Sequence, residues 1–400
     1  PVRVITHTVA NQQLAQGESW NFAEGRVGEG RVTCVDIPSH GFVVTPVQVD
    51  SQRVSSKQRP LADAGGLLHN EFLELQIDPT RGHLRSLHVP AKRGNRLSLM
   101  IARRDQLSHD SSPPAKNAAS PLRISEMVAT KVEMLTSSNI CGVVSAEGYL
   151  QFDGQRAADF RIIYEVWRGS RIAEVNIRLQ NLQPLASGNP WQSAYVLRLA
   201  WPSEAAVLRT YSAGQRHAWP AGRGVSPTLV EIDEVDYRTH YLTGGLAFHR
   251  RSEERFLETI LASAGETQVE HRIGIGVDLP HPTLAAEQFP DAPYEIGLSR
   301  AQPIVASSGW MATVDQRNVN VHLESPLVDR TGALVGIRLF VSELEGKATS
   351  ANIRLLREVA SATRVDYSGG KISQLNAVHD RITIALRAHE QVNVDVLWQL

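Results

Sequence analysis

The sequence predicts an all-β protein, a large central β-sandwich flanked by smaller β-sandwich segments. Three observations carry this. Apolar residues recur at every second position in run after run, turn-forming residues fall between the runs, and helical spacing is found in one segment, where a strand reading competes with it. At 400 residues the chain is too long for one ordinary core, and its breaks divide it into an N-terminal β segment (1–60), a central block (61–300) and a C-terminal sandwich (301–400).

The central block opens on Asn70 to Leu87, NEFLELQIDPTRGHLRSL. Leu73, Leu75 and Ile77 share one face of a strand, and Glu74, Gln76 and Asp78 share the other. Pro79 fixes φ and Gly82 can turn left-handed, so the chain reverses there. Leu84 and Leu87 then have opposite parity, which calls for a bulge or for burial on both faces. Arg161 to Val166 and the alternating Val175, Ile177 and Leu179 form a second hairpin about Arg168-Gly169-Ser170. Ser368 to Lys371 separates two further strand-like runs. At the end, Ile382, Ile384 and Leu386, then Val392, Val394, Val396 and Trp398, read as a closing hairpin.

Ser252 to Ala264 has a Ser cap and apolar Phe256, Leu257, Ile260 and Leu261 at helical spacing, but its flanks fit a hairpin equally well. Asp105 to Pro121 reads as a long loop or a disordered excursion, Ser51 to Ala64 as a break, and Leu279 to Pro293 as an irregular approach to a boundary near residue 300.

Lys plus Arg number 41 against 42 Asp plus Glu, so no net field recruits nucleic acid or an anionic membrane. Most of the basic residues are Arg, whose fork suits hydroxyl and carboxylate partners. No apolar run approaches the roughly eighteen residues of a membrane span. Cys34 and Cys141 sit in strand-like contexts, which reads as buried thiols in a reducing, cytoplasmic compartment, with a single disulfide left open. The chain opens on Pro1 without a signal-like segment, and is expected to be a piece of a longer protein or a processed product.

Fourteen histidines invite a metal, yet no His-x-x-x-His, His-x-His, His-x-Asp or Cys-x-x-Cys occurs, and no metal site or cofactor is expected in this chain. No Gly-x-Ser-x-Gly elbow is present, and Gly274-Ile275-Gly276 lies in a strand-like run rather than a nucleotide loop. Polar density concentrates in Tyr211 to Arg255, which holds Gln215 to Trp219, Glu231 to Tyr237 and Phe248 to Arg251. Carboxylates, aromatic faces and guanidinium forks together suit a sugar; the same residues also suit a charged sheet face with Trp219 half-buried. Trp191, Trp201, Trp310 and Trp398 stand in apolar runs and read as core.

Four phrases in order give a resemblance. They are Val35 to Phe42 (VDIPSHGF), the Asn70-Glu71 hairpin, Tyr164 to Gly169 (YEVWRG), and Leu339 to Gly346 (LFVSELEG) with the closing strands, where Arg338 and Glu345 fit the expected spacing loosely. In that order they resemble the C-terminal β region of the retaining α-mannosidases of glycoside hydrolase family 38. The resemblance implies a galactose-mutarotase-like supersandwich at the centre. It places zinc and the nucleophilic Asp in an upstream catalytic domain of the same polypeptide, so this chain carries no catalytic residue and is inert alone. Complete members hydrolyse α-mannosides with zinc through a glycosyl-enzyme intermediate. The family's β region lends its site a Tyr and an Arg, for which Tyr237, Tyr241, Arg250 and Arg251 are candidates by position. Two rivals remain. One is a non-catalytic carbohydrate-binding module with His217, Trp219 and Tyr237 lining a groove. The other is an aldose-epimerase-like enzyme using a Glu base and His217 or His249 as acid.

Overall fold

The computed structural model describes residues 2–8, 31–37, 41–43, 59–90, 92–106, 122–212, 215–219, 222–253, 255–289 and 308–399, the first two stretches by backbone alone. Apart from one helix, Pro282–Gln288, every regular element described is a strand. The chain forms two compact units, one of residues 54–290 and one of 1–53 with 291–400.

The larger unit holds two nine-stranded antiparallel sheets. The first runs, edge to edge, Gln215–Ala218, Val207–Ser212, Leu229–Glu234, Tyr237–Leu242, Val269–Val277, Ile172–Gln180, Gln155–Trp167, Cys141–Phe152 and Glu126–Ser137. The second runs Gly222–Val225, Phe248–Glu253, Phe256–Ala262, Ser193–Ala200, Leu97–Asp105, Leu84–His88, Glu74–Ile77 and Leu67–His69, with Arg123–Ile124 beside Leu97–Asp105. One apolar core joins inward side chains of both, including Val144, Tyr164, Ile177 and Ile275 from the first and Leu75, Ile101, Leu197 and Leu257 from the second. Ile172–Gln180 shows how the pattern becomes the fold. Its Ala173, Val175, Ile177 and Leu179 are all fully buried and the residues between them are not. Each large side chain so buried contributes about 1.5–3 kcal/mol.

The opening hairpin resolves its parity problem by a bulge. Leu75 pairs with Leu87, the register slips between Gln76 and Ile77, and Leu84 and Leu87 are both fully buried. Asp78 Oδ1 accepts from the Thr80 and Arg81 amides, and Gly82 has φ +73°. A side chain at Gly82 would meet Ala146 Cβ at 3.0 Å.

Two phrases a hundred residues apart lock together here. Asn70 Nδ2 donates to the carbonyls of Trp167 (2.6 Å) and Ser170 (2.7 Å), while its Oδ1 accepts from the Phe72 and Leu73 amides. The carboxylate of Glu71 accepts from the Gly169 amide at 2.7 Å. Asn-Glu and Trp-Arg-Gly are thus two halves of one joint.

Ser252 to Ala264 is part of a hairpin, not a helix. Strand Phe256–Ala262 is buried on both sides, Leu257 and Leu261 inward and Glu258 outward, so burial on two faces imitates helical spacing. The irregular zone contains the helix Pro282–Gln288, which begins on its Pro. With Leu279 and Phe289 it packs on the outer side of the first sheet against Tyr211, Leu229 and Leu242. Gly274 and Gly276 make room for it, since added Cβ atoms would lie 2.9 Å from Phe289 and 2.6 Å from Leu279. The long loop expected after Asp105 lies mostly outside the described residues, as does most of the break at 51–64.

The smaller unit contains a four-stranded sheet (Ala312–Val314, Thr349–Leu355, Arg381–Leu386, Asn376–Val378) and a five-stranded one (Val319–Val328, Leu334–Glu343, Gln391–Trp398, Val359–Val365, Lys371–Gln374). They share a core that includes Val321, Leu339, Ile353, Ile384 and Val394. Two short pairs, Val2–Thr8 with Arg31–Ile37 and Gly41–Val43 with Ser308–Trp310, belong to the same unit. The closing hairpin is not formed. Arg381–Leu386 pairs with Thr349–Leu355 in one sheet and Gln391–Trp398 with Leu334–Glu343 in the other, so the link crosses between sheets. Buried Glu343, inside the LFVSELEG phrase, ties that link down. Its carboxylate accepts from the amides of Glu345, Gly346, Lys347 and His389 and from Asn318 Nδ2. Burial alone would raise its pKa, but these donors outweigh that and hold the carboxyl below its ordinary value.

Candidate functional site

The expected sugar-binding residues do not converge. Trp219 and Tyr241 lie in the core between the sheets of the larger unit, their rings 5.8 and 5.9 Å from the buried His249 ring. Trp219 is not half-buried but enclosed, because Gly224 leaves it space; a Cβ there would lie 2.5 Å from the indole. His249 is engaged at both nitrogens, Nδ1 with the Thr259 hydroxyl at 2.8 Å and Nε2 with the Ser226 carbonyl at 2.9 Å. A carbonyl only accepts, so Nε2 carries the proton and Nδ1 accepts from Thr259. Burial pushes His249 down to about 4, which leaves it neutral at neutral pH. None of these three rings is open to a ligand.

His217 is exposed on the edge strand Gln215–Ala218, opposite Thr210. Tyr237 stacks on the Arg96 guanidinium at 3.5 Å, and buried Arg96 pairs with Asp278 at 3.3 Å. Partial burial and the neighbouring Glu234 push the Tyr237 hydroxyl up to about 12. Arg251 stands opposite Gly222 and Leu257 and is partly exposed.

Arg250 belongs to the densest polar arrangement, on the outer side of the second sheet. Register sets Arg223, Arg250, Glu258, Arg198 and Met100 in one row across five neighbouring strands. Alternation turns these residues away from the core while Trp219, His249 and Leu257 point into it. Arg104 reaches into the row from Leu97–Asp105. Its guanidinium lies 3.4 Å from Glu258, whose other contacts are Arg198 at 3.2 Å and Arg250 at 2.9 Å. Side-chain exposure is 1% for Arg104, 2% for Glu258, 10% for Arg198 and 14% for Arg250. Arg104 donates to the carbonyls of Pro190 (2.9 Å) and Trp191 (3.0 Å), and Arg250 to Gln106 Oε1 (3.1 Å). Burial, then the Arg250 charge, pushes Arg104 down to about 10. Trp191 is half-buried at the rim rather than core, with Arg223 5.0 Å over its ring and the exposed Phe248 edge-on at 6.4 Å. Such a face can hold oxygens by charge and place aromatic carbon beside them.

The outer side of the first sheet holds a second polar cluster. Buried Glu231 lies 3.4 Å from buried His240, contacts Arg216 closely and faces Arg209 at 3.7 Å, while Asp233 takes Arg209 at 2.9 Å. Burial, then the Arg238 charge, pushes His240 down to about 3.

Reading the sequence found Arg250 but not Arg104, Arg198, Arg223 or Glu258. The one local signal is Glu258 itself, a lone carboxylate inside the apolar run FLETILA.

No protein-family model matches the chain, and no curated protein does. Solved structures do. A glycosyl hydrolase family 38 protein from Enterococcus faecalis aligns over 87% of this chain and 46% of its own, at 10% identity and a TM-score of 0.64. An α-mannosidase from Enterococcus faecalis V583 aligns over 86% of this chain and 43% of its own, at 10% identity and a TM-score of 0.62. The chain shares its fold with a region of family 38 structures. It spans less than half of their length. A putative aldose 1-epimerase from Escherichia coli K12 aligns over 53% of this chain and 97% of its own, at 8% identity and a TM-score of 0.33, too low to argue from.

Proposed function

We propose that this chain is the β-sandwich portion of a family 38-like α-mannosidase, and that it supports a carbohydrate site whose zinc and nucleophile lie in an upstream domain of the same polypeptide. The observation that carries the reading is fold likeness over 87% of this chain to a structure of which it covers 46%. The complete protein would hydrolyse α-mannosides with retention through a glycosyl-enzyme intermediate. Among the described residues no three His, Cys, Asp or Glu gather to hold a metal, and the proposal assigns zinc to the upstream domain. Among the described residues no helix is long and apolar enough to cross a membrane, and a cytoplasmic home is part of the proposal, motivated by cysteines placed in apolar strands.

Hydrolysis of an aryl α-mannoside tests this. The expected result is silence from the folded chain alone, with or without zinc, and turnover by the full-length protein with zinc. Turnover by the chain alone overturns the reading, as does silence from folded, zinc-loaded full-length protein. A non-catalytic carbohydrate-binding module is the second reading, favoured by the Trp191 and Phe248 rings beside arginines. It predicts glycan binding by the chain together with full-length silence. The aldose-epimerase alternative loses His249 as its acid, because that ring is enclosed and engaged at both nitrogens.

A further inference from the structure

We infer that the arginine face of the second sheet, formed by Arg104, Arg198, Arg223 and Arg250 beside Trp191, binds an oxyanion carried by a sugar, either a uronate carboxylate or a sugar phosphate. The sugar half of this ligand rests on the carbohydrate reading above; the oxyanion half rests on charge and geometry.

Among the described residues three guanidinium groups, those of Arg104, Arg198 and Arg250, share the carboxylate of Glu258, and Arg223 stands beside them in the same row. Glu258 is the acid among them, and the nearby Asp105 is already occupied by Arg103 at 3.0 Å and by the Ser193 hydroxyl. Arg223 and Arg250 stand directly opposite each other on paired strands, an arrangement of like charges that opposes folding. Buried cations are stable only when paired, and among the described residues three buried arginines face one carboxylate, an excess of two charges. The hydrogen bonding is incomplete in the same place: Arg250 Nε makes no hydrogen bond among the described residues, and Nε of Arg104 and of Arg198 face Glu258 as ion pairs at 3.4 and 3.2 Å without hydrogen-bond geometry. Arg104 and Arg198 are at least nine-tenths buried and act from behind, while Arg250 and the exposed Arg223 are the groups a ligand meets directly. An oxyanion would cancel the excess charge and accept from guanidinium N–H groups whose hydrogen bonding is incomplete, which the fork geometry of arginine suits.

The rim explains why a sugar would carry that oxyanion. Exposed Arg223 lies over the Trp191 ring, and Phe248 stands edge-on to it. An aromatic face beside a guanidinium gives a pyranose ring both a C–H surface and a charged anchor.

Calorimetric titration of the full chain with glucuronate, mannose 6-phosphate, inorganic phosphate and methyl α-mannoside tests this. At least one anionic sugar should bind with one-to-one stoichiometry, at least about tenfold more tightly than methyl α-mannoside, and more weakly as salt rises. Arg250→Gln should lower that affinity by about tenfold or more. Arg223→Gln, at an exposed position, gives the same reading if Arg250→Gln fails to fold. Inorganic phosphate binding as tightly as the anionic sugars would retain the oxyanion site and count against the carbohydrate reading. Equal affinity for anionic and neutral sugars overturns the inference. So does wild-type anion affinity in a folded Arg223→Gln or Arg250→Gln protein.

Discussion

The two outer sheet faces of the larger unit both bury charge, but they differ in balance. On the first sheet, Glu231 and Asp233 face Arg209 and Arg216, and buried His240 stays neutral, so the charges cancel locally. On the second, among the described residues, Glu258 is the one carboxylate in contact with Arg104, Arg198 and Arg250, and Arg223 stands in the same row. Both faces hold buried polar atoms without hydrogen bonds, Glu231 Oε2 and both His240 nitrogens on the first among them, so charge balance is what distinguishes them, and a balanced network can be read as structure. An unbalanced one has a charge still to be matched, and points outward to a ligand. The contrast separates two sites that burial alone would rank together.

The largest test of it is removal of the acid on each side. Glu258→Gln leaves the buried arginines without their carboxylate and should cost about 3–5 kcal/mol, read from urea midpoints. Added phosphate should return part of that loss, because an anion takes the vacated role. Glu231→Gln should cost less, about 1–2 kcal/mol, since Asp233 remains and Arg209 and Arg216 are 32% and 36% exposed. Equal losses, or no response of Glu258→Gln to phosphate, would break the comparison.

Acid should act through the first face and the core. His240 is pushed down to about 3 and His249 to about 4, both by burial first, against an ordinary value of 6.5. Below 6.5 the unfolded chain takes up protons that the folded chain refuses. Stability is therefore whole above that pH and falls on acidification toward the folded values, by roughly 2 kcal/mol per histidine at pH 5. His240→Asn should flatten the fall between pH 6.5 and pH 5, in chemical denaturation run at each pH. An unchanged slope would mean that His240 is protonated in the folded protein, and the balanced description of that face would fail.

What could be read in the sequence follows from where the physics is local. Alternation is local, so the hairpins around Pro79 and Arg168 form as expected and the all-β class holds. The partner of a strand is not local: Arg381–Leu386 and Gln391–Trp398 alternate as a hairpin would, yet each joins a different sheet. Burial on both faces erases the two-residue period, which is why Phe256–Ala262 also read as helix and why Glu258 passed unnoticed. The site was legible only at Arg250, because Arg104 and Arg198 reach it from distant strands that meet only in the folded sheet. The phrases behind the family 38 resemblance were readable for a different reason. Asn70, Glu71, Gly169 and Glu343 hold joints together, so these phrases report the frame and not the chemistry.

Asn70 measures what one such joint contributes. Asn70→Ala removes two donors to the Trp167 and Ser170 carbonyls and the acceptor for the Phe72 and Leu73 amides. The loss should be about 1–3 kcal/mol, with anion binding by the second sheet unchanged in the folded variant. A loss of binding at full stability would make the joint part of the site and blur the line between frame and face.

The smallest effect belongs to His217, and it sharpens the comparison because this residue stands near the balanced cluster without joining it. It is exposed on the edge strand beside Arg216, whose side chain turns to Glu231. Successive residues on a strand face opposite ways, so His217 points away from that acid. His217→Ala should change stability by less than about 0.5 kcal/mol and leave binding of an anionic sugar as it was. A clear loss of sugar affinity would put a ligand at the sheet edge, opposite the face where unmatched charge directs it.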